Sequence, residues 1–137
     1  MDAQEAAKTW VDAWSTGWMD HDPDVIAERY SEECEFVSHP FRDPLRGSAG
    51  ARTYAAQVFA EERSARFRFA DPIVGTDGRA AVEYWAIVTG LDGEVITLAG
   101  VTVLRFDREG RAVEHRDHWA TQEGGHNSSS QPFGGGV

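Results

Sequence analysis

Residues 77–121, DGRAAVEYWAIVTGLDGEVITLAGVTVLRFDREGRAVEHRDHWAT, are punctuated by Asp77-Gly78, Asp92-Gly93 and Glu109-Gly110, with runs rich in β-branched and aromatic residues between them. An acidic residue followed by glycine between such runs marks a hairpin turn, because glycine readily takes the left-handed backbone of tight turns. With the segment just ahead, the pattern predicts four successive antiparallel strands at 67–75, 79–90, 94–107 and 111–121. Strands of this length force a sheet to twist and curl.

Upstream the period lengthens. Asp2 followed by Glu5 is an acidic variant of the capping box, and Ala6, Trp10, Ala13, Trp14 and Trp18 recur at helical spacing, predicting an amphipathic first helix to about Gly17. Asp22-Pro23 places a capping side chain before a proline at the first helical position, and Val25, Ile26 and Tyr30 share one side of a short second helix ending near Ser31. Cys34–Ser38 reads as a short strand. The segment His39-Pro40-Phe41-Arg42-Asp43-Pro44 reads as an ordered loop, since each proline biases its predecessor toward extended backbone. Ser48 is placed to cap a third helix running to about Arg63.

Helices first and a meander afterwards define an α+β fold. Three N-terminal helices would pack on the concave face of a strongly curved, mainly antiparallel sheet, giving a cone-like α+β barrel around a pocket. The domain would occupy residues 1–122, and the Gly/Ser-rich residues 123–137 would form a flexible tail unable to bury enough surface to order itself. If Leu98, Gly100, Thr102 and Leu104 point inward, Ala99, Val101 and Val103 point outward. Two apolar faces on one strand suggest a homodimer formed through the outer face of the sheet.

The composition narrows the function classes. At 137 residues and 41% hydrophobic, the chain has the profile of one globular domain. Cys34 is the sole cysteine, which excludes an internal disulfide and fits a reducing, cytoplasmic location. The net charge of −10 argues against nucleic acid or anionic membrane as partner. No apolar run approaches the roughly 20 residues of a membrane span, and the acidic N-terminus lacks a signal peptide's basic start. Residues 36–70 carry six arginines against Asp43, Glu61 and Glu62, most simply a solvated helix face.

The order of these elements, with a strand ending in Phe36-Val37-Ser38-His39-Pro40, a helix opening at Gly47 and a last strand Gly110-Arg111-Ala112-Val113-Glu114-His115-Arg116-Asp117-His118-Trp119, resembles the SnoaL-like branch of the nuclear transport factor 2-like superfamily. The resemblance covers about residues 2–121. It implies a cone with an internal pocket, in a superfamily that hosts polyketide cyclases, ketosteroid isomerases, dehydratases, epoxide hydrolases and plain binding modules.

Several enzymes of this kind carry an aspartate where Asp117 stands, which implies that Asp117 faces inward as an acid/base group. Period two then sets Val113, His115 and Trp119 on the same wall. His115 beside Asp117 echoes the histidine and aspartate of SnoaL-like aldol cyclases. His39, before Pro40 at the expected rim, is suited to polarising a carbonyl or relaying a proton. Glu83 would make a second carboxyl if it shares Asp117's face. Alignment with limonene epoxide hydrolase-like members puts Glu83 at their arginine and Trp85 at one of their aspartates, so their Asp-Arg-Asp set is incomplete and epoxide hydrolysis by that route is disfavoured. Trp14, Tyr30, Phe36, Ser38, Tyr54, Phe59, Trp85 and Trp119 are the expected substrate-binding residues, a lining for a flat, mostly apolar molecule.

His115 and His118 are three apart and point to opposite faces of a strand, so no metal site is expected there. No nucleophile elbow, P-loop or dinucleotide motif occurs. The expected function is a cofactor-free enzyme acting by proton transfer on a hydrophobic cyclic or polyketide-like carbonyl compound, of aldol cyclase, isomerase or dehydratase type. The alternative is a noncatalytic small-molecule-binding or dimerisation module of the same fold.

Overall fold

The computed structural model describes residues 1–129 and 133. Helix α1 (Ala3–Asp20) starts where Asp2 accepts a hydrogen bond from the Glu5 amide at 2.8 Å, the expected cap. It runs three residues past Gly17. A side chain at Gly17, within the helix, would collide with Ile26 and the Asp22 carbonyl, so its smallness lets α2 (Pro23–Ala27) pack against the helix. The Asp22 side chain caps α2 and Pro23 occupies its first turn, as the sequence predicts.

Helix α2 is shorter than expected. Tyr30, expected on its face, is instead the first residue of β1 (Tyr30–Val37), whose parallel pairing with the last strand starts from Tyr30 opposite Ala112. The short β2 (Leu45–Arg46) follows, then α3 (Gly47–Glu61). Ser48 does not cap α3: the N-cap position is Arg46, and the Ser48 hydroxyl donates to Glu32 Oε1 at 2.8 Å.

Strand β3 (Glu62–Phe69) begins directly after α3, five residues before the expected start. Its Ala65, Phe67 and Phe69 pack against the core while Arg66 and Arg68 alternate with them, a period-two pattern that the arginines disguise as a helix end. The expected strand 67–75 is split, with Asp71-Pro72 preceding the two-residue β4 (Ile73–Val74). Strands β5 (Ala80–Gly90), β6 (Val95–Phe106) and β7 (Ala112–Glu123) form the meander. Gly78, Gly93 and Gly110, the glycines of the three turns, all take left-handed φ of +80° to +84°.

The sheet order is β2-β1-β7-β6-β5-β3, with β4 on β5; β1 and β7 run parallel and all other pairs antiparallel. This is the expected α+β cone, with helices packed on a curled, mainly antiparallel sheet. The core lies between them: Trp10, Ile26, Cys34, Phe36, Val82 and Leu104 are all at most 2% exposed. Large aromatic groups dominate it, and each such burial stabilises the fold by roughly 1.5–3 kcal/mol. Among the described residues, no helix is long and apolar enough to cross a membrane.

Register fixes which residues face the core. Val82 pairs with Thr102 and Thr102 with Asp117, so these three share the inner face; Glu83, Val101 and His118 share the outer one. Chain beyond the expected domain end lies on that outer face. Thr97 Oγ1 donates to the Gly124 carbonyl and accepts from the His126 amide, each at 2.8 Å, and Trp85 Nε1 donates to the His126 carbonyl. Phe133 is buried beside Trp85. The rest of the expected tail, residues 130–132 and 134–137, lies outside the described residues.

Candidate active site

Strand β7 directs His115, Asp117 and Trp119 inward from alternate positions, opposite Leu104, Thr102 and Gly100 on β6. A side chain at Gly100 would collide with the His118 carbonyl and with Trp119, so glycine is what allows Trp119 to lie across the strand at that point. The indole N–H of Trp119 donates to the Ser38 carbonyl at 2.6 Å.

The Asp117 carboxylate collects three hydrogen bonds. Thr102 Oγ1 and the Tyr84 hydroxyl donate to Oδ1 at 2.5 and 3.2 Å, and His115 Nε2 lies 2.9 Å from Oδ2. Which proton each group carries follows from the next layer. The Tyr30 hydroxyl accepts from both the Trp10 and the Trp14 indole N–H at 2.9 Å, which occupies its lone pairs. Its own proton therefore points at His115 Nδ1, 2.9 Å away. Nδ1 is the acceptor, and Nε2 carries the hydrogen donated to Asp117. His115 is 1% exposed and stacked on Phe36 at 3.8 Å between ring centroids, so its orientation is fixed by packing as well.

Burial pushes the Tyr30 phenol well above its ordinary range, against the pull of the two indole donors. Burial, and then the Asp117 charge and hydrogen bond, raise Tyr84 far above its ordinary value. Both phenols are thus kept protonated as donors. Tyr54 is pushed up to about 12 by burial and by the Asp117 charge, with Arg42 opposing.

In front of Asp117 opens a cavity of about 1190 Å3. Ser38, Arg42, Tyr54, Tyr84 and Trp119 line it at the Asp117 end, and Leu45, Val58, Val88, Ile96 and Leu98 supply apolar wall. Arg42 donates to Ser38 Oγ at 3.2 Å and stands 5.3 Å above the Trp119 ring. Behind Asp117, a second void of about 40 Å3 is bounded by Trp10, Trp14, Trp18, Phe69, Tyr84, Thr102 and His115.

A second polar group borders the large cavity. Glu62 is 5% exposed; it accepts from Trp18 Nε1 at 3.0 and 3.1 Å and lies 2.7 Å from His21 Nε2. His21 ends α1 in a left-handed conformation, with φ of 52°, and its ring stacks on Phe59 at 4.9 Å. Neither Glu62 nor Arg42 was singled out for the site by the sequence. Glu62 directly follows α3 and Arg42 lies in the loop between β1 and β2, and neither position carries a sequence signal for the cavity.

The expected site residues are only partly brought together. Asp117, Ser38, Tyr54 and Trp119 line the large cavity, and Trp14 and His115 the small one. Tyr30 and Phe36 belong to the core behind Asp117, and Phe59 packs under His21. His39 stands edge-on to Trp119 at 4.7 Å, with no hydrogen bond to Asp117. Glu83 and Trp85 require correction: register turns both to the outer face, so Glu83 cannot pair with Asp117 and the alignment that set them in the pocket does not hold. Val113 is likewise displaced, because the register shifts between Arg105 and Phe106 and Ala112 is the buried residue. Burial, followed by the charges of Glu114 and Glu35, pushes the Cys34 thiol up to about 12, which leaves it an inert core group. Among the described residues, no group of three or more His, Cys, Asp or Glu is arranged to hold a metal ion.

The sequence profile of the SnoaL-like domain matches residues 9–115. The chain belongs to the SnoaL-like domain family. None of the curated proteins matches it. Among solved structures, this SnoaL-like chain is similar to an epoxide hydrolase/cyclase-like enzyme of pyran ring formation in the polyether salinomycin, at 19% identity over 90% of this chain and 98% of that one, with a TM-score of 0.77. It is also similar to a nuclear transport factor 2-like protein of Burkholderia pseudomallei K96243, at 21% identity over 88% and 92%, TM-score 0.70. A hexachlorocyclohexane dehydrochlorinase resembles it at 12% identity over 90% and 91%, TM-score 0.73. At these identities the likeness is one of fold.

Proposed function

We propose that this SnoaL-like protein is a cofactor-free enzyme that moves a proton on a hydrophobic carbonyl compound, with Asp117 as the base. The observation that carries the reading is the cavity-facing Asp117 carboxylate, held from behind by three donors. A carboxylate offers about four acceptor sites, so one remains for a substrate C–H. Asp117 takes a proton from the carbon next to the carbonyl, and the electron pair moves onto the carbonyl oxygen. Arg42 and the Tyr54 hydroxyl, both on the same wall, stabilise the enolate charge. Return of that proton from Asp117 to another carbon gives an isomer, whereas attack of the enolate on a second carbonyl closes a ring and leaves an alkoxide that takes the proton back from Asp117. His115 touches no substrate in this scheme; it is a positioning residue that keeps Asp117 aimed.

The test needs no knowledge of the natural substrate. Incubation of 2-tetralone, a flat ketone with acidic α-hydrogens, in D2O should give α-deuteration visible by proton NMR, and Asp117→Asn should lower that rate about 100-fold or more. Exchange at the wild-type rate in Asp117→Asn rejects Asp117 as the base.

The second reading is a noncatalytic binding module, favoured by the same three hydrogen bonds, since a carboxylate so well supplied also serves as plain structure. Saturable binding of ketones without exchange would support it. We also propose a homodimer through the outer face around Val101 and Val103, beyond the part covered by Gly124–His126, and a cytoplasmic location. Sedimentation of the purified chain tests the dimer.

A further inference from the structure

A buried carboxylate is normally matched by a cation or by several donors, because desolvating the charge is costly. Glu62 has neither in full. Its side chain is 3% exposed, its partners are the Trp18 indole and His21, and His21 is charged only if protonated. Arg63, next in sequence, is turned away and donates to the Leu91 carbonyl at 3.1 Å. The Trp18 hydrogen is shared between the two oxygens, so acceptor capacity remains on the carboxylate. Glu62 also borders the cavity that Asp117 borders.

The two carboxylates sit at separate places along that cavity. Asp117 is level with Val82 on β5 through Thr102, whereas Glu62 is opposite Gly90, eight residues further along the same strand. Val58, Val88, Ile96 and Leu98 line the cavity as well. Its polar demands therefore fall at two places, a carbonyl acceptor near Arg42 and Tyr54 and an unfilled acceptor at Glu62.

We propose that Glu62 determines specificity by accepting a hydrogen bond from a substrate hydroxyl. The preferred ligand is then an elongated, mostly apolar carbonyl compound with a hydroxyl group remote from the carbonyl. The proposal rests on the reading of the cavity as a carbonyl site. It assigns Glu62 to binding alone, while Asp117 keeps the proton transfer.

Binding measured by quenching of tryptophan fluorescence is independent of turnover, and Trp18 and Trp119 both line the cavity. The probes are 2-tetralone, its 6-hydroxy derivative and its 6-methoxy derivative, in which the donor is masked without change to the protein. For the wild type, the hydroxyl should tighten Kd about tenfold over the parent and the methoxy group should not. Glu62→Gln, close in shape, should reduce the hydroxyl's advantage to less than about twofold and leave the affinity for 2-tetralone unchanged. Equal tightening by hydroxy and methoxy compounds, or a hydroxyl advantage unchanged in Glu62→Gln, overturns the proposal. The methoxy comparison decides the matter even if the variant folds poorly. Loss of deuterium exchange with the Kd pattern intact would overturn the catalytic reading and leave this one standing.

Discussion

Two histidine–carboxylate pairs border the interior of this SnoaL-like domain, and they are built oppositely. Asp117 and His115 stand on one strand, two residues apart, with every ring nitrogen and both carboxylate oxygens engaged by groups of the core. Glu62 and His21 come together from the start of β3 and the end of α1, with His21 about a third exposed. The first pair is locked, with its protons assigned by a line of donors reaching back to two tryptophans. The second keeps unused acceptor capacity. On the proposed reading, the difference separates a group positioned for proton transfer from one positioned to receive a ligand hydroxyl.

Disabling the locked pair should have the greatest consequence. Asp117→Asn should lower deuterium exchange into 2-tetralone by about 10² to 10⁴, whereas Glu62→Gln should leave it within about threefold. Tyr30→Phe should be the most destabilising conservative change, by roughly 3 kcal/mol or more in urea unfolding, because it strands two buried indole N–H groups and His115 Nδ1. Thr102→Val, near-isosteric, removes one donor from the carboxylate and should cost roughly 2 kcal/mol. His21→Asn sharpens the contrast, since loss of a partly exposed partner should cost only about 1 kcal/mol by the same measurement.

The smallest effect is a pH effect. Cys34 and Tyr54 are both raised to about 12, so the fold holds them protonated. Their contribution to stability is complete well below pH 9, the ordinary midpoint of Cys34, and is lost as the pH rises toward 12. Thermal melts should therefore show Tm falling across pH 9–12, and a flat Tm there would contradict these assignments.

Much of the fold is legible in the sequence because its signals are local. Asp2, Asp22-Pro23 and the acid-glycine turns each set a boundary with two or three residues. On β6 the sequence leaves the inward set Leu98, Gly100, Thr102 and Leu104 conditional, because Ala99, Val101 and Val103 make the other face apolar too; the burial of Thr102 and Leu104 decides it. On β5 both alternating sets are apolar, Val82, Tyr84 and Ala86 against Ala81, Trp85 and Ile87, so only pairing with β6 decides the face. That ambiguity misplaced Glu83 and Trp85. Glu62 and Arg42 escaped for a different reason: each acts through contacts between distant elements, and a charged residue in a segment full of charges carries no periodic mark. His115 was expected beside Asp117, yet its hydrogen-bonding state depends on Trp10, Trp14 and Tyr30, which come from other elements.

The Trp10 and Trp14 indoles, through Tyr30, make His115 donate from Nε2 to Asp117. Long-range proton–nitrogen correlation NMR of uniformly 15N-labelled protein at pH 7 reads this directly, with His115 assigned by its loss in His115→Gln. The spectrum should show the Nε2–H tautomer, with Nδ1 at the shift of an unprotonated acceptor. A proton on Nδ1 would contradict it, because Tyr30 would then have to give up one of its indole donors and the line of hydrogen bonds behind Asp117 would be reversed.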